Sequence, residues 1–75
     1  VIYKEVVLME NTLKISIKAA RVNSGLTLLE AAEKLNVGKD RLMKWEKNPG
    51  LINGIYMEKI ANTYNIPLDN LNFLP

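Results

Sequence analysis

The residues best suited to chemistry cluster in one stretch, VGKDRLMKWEKNPG, from Val37 to Gly50. Lys39, Arg41, Lys44 and Lys47 stand there against Asp40 and Glu46, around the only tryptophan of the chain, Trp45. Basic charge is therefore concentrated locally in a chain whose formal net charge is only +2. Such a surface can meet a polyanion, or it can simply solvate a helix face, and charge alone does not separate the two. Catalysis fits poorly. With neither histidine nor cysteine, the chain lacks the usual neutral-pH general base, thiolate chemistry, disulfides and the common zinc ligand sets. Glu30 and Glu33 lie three residues apart, a common surface spacing, and no nucleophile, metal cluster or phosphate loop joins them. The sequence thus implies no enzyme, no metal, no cofactor and no small-molecule ligand.

These residues need a scaffold, and 75 residues with a 48% hydrophobic fraction allow one small domain held by packed apolar side chains. The opening VIYKEVVL reads as a short strand or an arm, and TLKIS alternates Leu13 and Ile15 with polar neighbours. With MEN as a turn the two make a small hairpin, so residues 1–15 are expected to form an arm or hairpin and residues 16–75 the domain proper. Met9 is also a candidate natural start, which makes residues 1–8 an extension. VIYKEVVLM is too short and too charged for a membrane or targeting segment, so the default expectation is a cytoplasmic protein with no membrane partner.

From Ser16 the pattern is helical. Ser16 can cap IKAARVNS, with Ile17, Ala20 and Ser24 on one face and Gly25 ending the helix. Thr27 and Glu30 have the spacing of a capping box, and Leu28, Ala31, Ala32 and Leu35 form a stripe at helical period. Asn36 suits the left-handed conformation, and Gly38 can cap a helix over Lys39–Lys47. NPGLING is dense in helix breakers. Asn53 can cap GIYMEKIANTY, whose Met57, Ile60, Ala61 and Tyr64 share a face. Asn65 closes that helix, and Pro67 starts a last turn or short helix from which Leu71 and Phe73 can fold back. The expected fold is all-α, with five short helices.

Two of these helices are joined only by Asn36, Val37 and Gly38. So tight a turn calls for a near-perpendicular crossing and leaves the second helix prominent. Ala32 supplies the small residue at the contact, Leu35 and Val37 the apolar flanks, and Asn36 the turn residue tolerant of positive φ. Leu42 and Trp45 then anchor the second helix. Lys39, Asp40, Arg41, Met43 and Lys44 are left to face outward.

On these residues, ARVNSGLTLLEAAEKLNVGKDRLMKWEKN resembles the helix-turn-helix domain of the phage repressor and Cro family, in particular small prophage regulators. The likeness runs from about Ile15 to Phe73, and YNIPLDNLNFLP resembles the end of such domains. The resemblance implies a sequence-specific DNA-binding transcriptional regulator with Lys39–Lys47 as the recognition helix in the major groove. Lys39, Asp40 and Lys44 match the base-facing positions, with Met43 on the same face. Lysine can donate to guanine and aspartate can accept from cytosine, so a half-site with G·C pairs is expected. Asp40 can alternatively serve only the positive end of the helix dipole. Thr27, Arg41 and Lys47 match phosphate-contacting positions, and Arg21 and Glu46 match an interior ion pair. One recognition helix reads too few base pairs, so a homodimer on a pseudo-palindromic operator is implied, in a bacterial or phage-encoded protein that joins the nucleoid when bound.

The chain also departs from that pattern. Leu28 stands where the family often has a phosphate-binding glutamine, and NPGLI replaces a basic or glycine-turned loop. Leu51 and Ile52 cannot hold phosphate, which suggests weaker affinity or a loop used for protein contact. The tail LNFLP, the GLI loop and the N-terminus are the candidate dimer surfaces. Tyr3, Tyr56 and Tyr64 read as packing residues rather than stacking platforms. The alternative function is a protein-interaction or antitoxin-like module that keeps the fold with weak or no DNA binding.

Overall fold

The computed structural model describes residues 14–73. Within them lie four α-helices, α1 (Ile17–Asn23), α2 (Leu28–Leu35), α3 (Lys39–Lys47) and α4 (Gly54–Thr63). Short 3-10 turns occupy Pro49–Leu51 and Leu68–Asn70. The all-α fold is as expected, but the count needs one correction: the fifth helix is only the 3-10 turn Leu68–Asn70. Its brevity has a cause. Leu71 must become extended, because the Ile15 amide donates to the Asn70 carbonyl (2.8 Å) and the Asn72 amide to the Ile15 carbonyl (2.9 Å), making a parallel bridge. The expected hairpin lies outside the described residues except for Lys14 and Ile15, and Ile15 pairs with Leu71. No helix among the described residues is long and apolar enough to cross a membrane.

Each helix begins at an extended residue. Ser16 accepts from the Ala19 amide and Asn53 from the Tyr56 amide, each at 3.0 Å. Thr27 and Glu30 close a reciprocal box: the Thr27 Oγ1 accepts from the Glu30 amide (3.1 Å), while the Glu30 Oε1 accepts from the Thr27 amide (2.9 Å). These bonds satisfy amides that a helix start leaves without intrahelical partners.

Three helix ends share one device. Gly25 (φ 76), Asn36 (φ 58) and Asn65 (φ 53) each turn left-handed after α1, α2 and α4. The following amide reaches back five residues: Leu26 to the Arg21 carbonyl, Val37 to Ala32 and Ile66 to Ala61. This closure satisfies carbonyls at the helix end and drops an apolar residue back onto the body. Leu26, Val37 and Ile66 all pack against the core.

Ile17, Leu35, Leu42, Ile60 and Leu71, one from each part of the chain, are fully buried. Ala31 and Ala32 are buried as well, and their small side chains let α2 pack against both α3 and α4. Two expectations about the surface are corrected here. Ile52, read as part of an apolar contact loop, is 3% exposed, and Leu71 of the tail is 1% exposed. Neither is free to meet a partner. Pro49 and Gly50 enter a 3-10 turn that the Ile52 amide closes onto the Pro49 carbonyl (3.1 Å), and this places Ile52 in the core while Leu51 points out.

Two substitutions test this skeleton by urea denaturation. Thr27→Ala is expected to cost ~1 kcal/mol through loss of the cap. Asn36→Gly should be neutral or stabilising, whereas Asn36→Val should cost at least ~1–2 kcal/mol, because a β-branched residue must then hold positive φ. An unchanged midpoint for Asn36→Val would contradict the described turn.

Candidate nucleic-acid interface

α3 starts at Gly38, which is extended and offers no side-chain cap. Asp40 in its first turn and Lys44 and Lys47 in its last complement the helix dipole instead. The helix stops at Asn48, since Pro49 has no amide to continue it and disfavours helical backbone in the residue before it. Leu42 and Trp45 are buried on one side. Lys39, Asp40, Met43, Lys44 and Lys47 are exposed, and helical spacing puts them on one strip of the opposite side. The structure thus brings the four candidate base-reading residues together, with Lys47 continuing the strip two turns on.

Arg41 sits apart from that strip, at the margin next to Trp45. Its guanidinium carbon lies 5.3 Å from the Trp45 ring centroid and 5.8 Å from that of Tyr56. The two rings themselves pack at 5.0 Å with a 53° tilt. Lys59 on α4 brings its ammonium to 5.6 Å from the Tyr56 centroid. The sequence reading gave Tyr56 only a packing role and left Lys59 without one. The available signal was their three-residue spacing on a helix, but nothing in the sequence says that this face meets α3.

Thr27 lies at the start of α2, and its box with Glu30 sets the local charge. The Thr27 backbone amide, followed by its hydroxyl, holds the Glu30 carboxyl below the usual carboxylate range. A negative charge therefore stands beside Thr27, and its amide is already committed. Leu28, in the next position, is half-buried against the core and offers no polar group.

Behind the exposed strip, α1 and α3 are tied by a charged pair. The Arg21 Nε donates to the Glu46 Oε2 at 2.6 Å, and its Nη2 to the Oε1 at 3.3 Å. The Arg21 Nη1 also donates to the Leu26 carbonyl at 3.0 Å. One guanidinium thereby joins α1, the loop before α2 and the end of α3. The Glu46 hydrogen bond raises the Arg21 pKa further, against a smaller opposing effect of burial. Beside this pair sits the phenol of Tyr64, buried, with no hydrogen-bond partner for its hydroxyl among the described residues. Burial pushes its pKa up to about 12, and the nearby Glu46 charge adds to the shift. A different contact locks α1 to the end of α4: the Ser24 hydroxyl donates to the Tyr64 carbonyl at 2.9 Å.

Two short helices joined by a left-handed turn, the second displaying an exposed polar strip over a buried Leu-Trp anchor, define a helix-turn-helix domain. A helix-turn-helix family model matches residues 17–71, and the chain belongs to that family, a non-enzymatic one. Among curated proteins it is similar to the HTH-type transcriptional regulator ImmR of Bacillus subtilis (strain 168), with 38% identity over 55 residues. That match covers 73% of this chain, which spans 43% of the length of ImmR. No solved structure gives a significant match.

The buried pair and phenol make distinct predictions. Arg21→Met or Glu46→Leu alone should destabilise by ~3 kcal/mol, since each strands a buried charge, while the double variant should recover most of the loss. Additive losses in urea unfolding would contradict the pairing. For Tyr64, the folded pKa lies above the unfolded value near ~10, so the native state holds the proton longer. Stability should therefore be unaffected by this group below about pH 10 and fall as pH rises through about 12. Tyr64→Phe should remove that component of the alkaline loss and be neutral to stabilising by ~1 kcal/mol at neutral pH.

Proposed function

We propose that this chain is the DNA-binding domain of a transcriptional regulator of Cro or repressor type, with α3 laid in the major groove of a pseudo-palindromic operator. The observation that carries the reading is the exposed strip of Lys39, Asp40, Met43 and Lys44 on a helix anchored from behind by Leu42, Trp45 and the Arg21–Glu46 pair. Lys39, Asp40, Met43 and Lys44 take the base edges, with Lys39 and Asp40 favouring a G·C-containing half-site. Arg41 and Lys47 take phosphates, and Thr27 is a weaker phosphate contact because Glu30 already occupies its amide. Similarity to ImmR, an HTH-type transcriptional regulator, supports the same assignment. Two copies are needed for useful specificity, so the domain acts on DNA as a homodimer.

One observation favours a second reading, a protein-interaction or antitoxin-like role. Leu51, in the 3-10 turn after α3, and Ile55, in the first turn of α4, are 60% and 78% exposed. An apolar pair in that position suits a protein partner, including a second copy of the chain.

Charge reversal separates the readings. Lys39→Glu with Lys44→Glu should abolish binding to duplex DNA and leave the unfolding midpoint within ~0.5 kcal/mol of the original, as for other exposed substitutions. Undiminished DNA affinity in the double variant would overturn the assignment and favour the protein partner. Wild-type affinity should also fall steeply with salt, by about 0.9 log units per log unit of salt for each phosphate contacted.

A further inference from the structure

The basic face does not end with α3. Arg41 and Lys59 come from different helices, yet both cations stand within 6 Å of the centroid of one ring, Tyr56. They are therefore at most about twice that distance apart. Among the described residues the only salt bridge is Arg21–Glu46, so no described carboxylate pairs with either cation. Two exposed cations kept near one ring add to the local positive potential, which attracts an anion to that side of the domain. The rings add order. Arg41 lies near both Trp45 and Tyr56, two rings inclined at 53°, so cation–π contact with each restrains its guanidinium while the residue stays exposed.

We propose that Arg41, Tyr56 and Lys59 form a phosphate clamp beside the recognition helix, taking phosphodiester oxygens of duplex DNA. Arg41 and Lys59 contact the phosphate, and Tyr56 is the positioning residue that sets both cations. The clamp rests on the DNA-binding reading above and extends the interface from α3 onto α4. It gives the backbone contact that the apolar 3-10 turn Pro49–Leu51 has no side chain to make. Its ligand is a phosphodiester of duplex DNA rather than free phosphate, because Arg41 lies on the same helix as the exposed Lys39–Lys47 strip, so a strand meeting that strip passes beside it.

Fluorescence anisotropy of a fluorescein-labelled duplex of mixed sequence tests this, since such binding is carried by phosphate contacts. Lys59→Gln should weaken binding roughly three- to tenfold and make the log–log salt slope shallower by about 0.9. Tyr56→Leu should weaken binding and Tyr56→Phe should not, with urea midpoints measured for each variant. In a parallel titration, inorganic phosphate should leave Trp45 emission unchanged at concentrations where the duplex shifts it. Wild-type affinity and slope in Lys59→Gln would overturn the clamp, as would equal loss in Tyr56→Leu and Tyr56→Phe, or saturation by inorganic phosphate without a response to DNA. Loss of binding in Lys39→Glu/Lys44→Glu alongside an unaffected Lys59→Gln would sink the clamp and leave the DNA-binding reading standing. A wild-type chain that binds no duplex would overturn both.

Discussion

A guanidinium and a carboxylate taken out of water are costly unless each faces the other, and Arg21 and Glu46 are placed so that they do. The consequence is geometric more than energetic. Glu46 lies in the last turn of α3 and Arg21 in the last turn of α1, twenty-five residues earlier. Because a third donor of Arg21 holds the Leu26 carbonyl just ahead of the Thr27 cap, the same side chain also fixes where α2 begins. Sliding α3 along its axis, or rotating it, would separate the pair and strand two buried charges. The exposed strip of α3 is thus held at a defined angle to the rest of the domain, which a surface meant to read a groove requires.

Apolar packing reinforces the same placement. Leu42 and Trp45 bury one side of α3, and Trp45 in turn packs on Tyr56 of α4. The residues that face outward contribute little to this packing, so the chemistry of the strip and the stability of the domain are largely separate. The left-handed closures at Gly25, Asn36 and Asn65 do a comparable service at the corners, returning Leu26, Val37 and Ile66 to the core. A domain this small has few other ways to bury apolar surface.

Much of this was legible in the sequence, for physical reasons. Caps are local, so Ser16, Thr27 with Glu30, and Asn53 announced three helix starts from adjacent residue types alone. Asn36 announced the turn because few other residues tolerate positive φ. Illegible features were those set by long-range placement. Leu51 and Ile52 are adjacent and equally apolar, and only the turn at Pro49 decides that one faces out and the other in. Leu71 fits the sequence either as a residue folding back or as part of an apolar tail surface, and its pairing with Ile15, which spans most of the chain, decides for burial. The meeting of Arg41, Tyr56 and Lys59 likewise depends on how α3 and α4 pack, which no local pattern encodes. The base-reading roles proposed for Lys39, Asp40, Met43 and Lys44 draw on their position on the exposed strip and on membership of the helix-turn-helix family.

The central claim is that α3 reads base sequence from an orientation fixed by the fold, as a pair of copies. Selection of binding sites from random duplex DNA tests it most directly. The account predicts enrichment of a two-fold symmetric motif with G·C pairs in each half-site and half-site centres about 10 bp apart or a multiple of that. Failure to enrich any motif, or enrichment of one without two-fold symmetry, would contradict it.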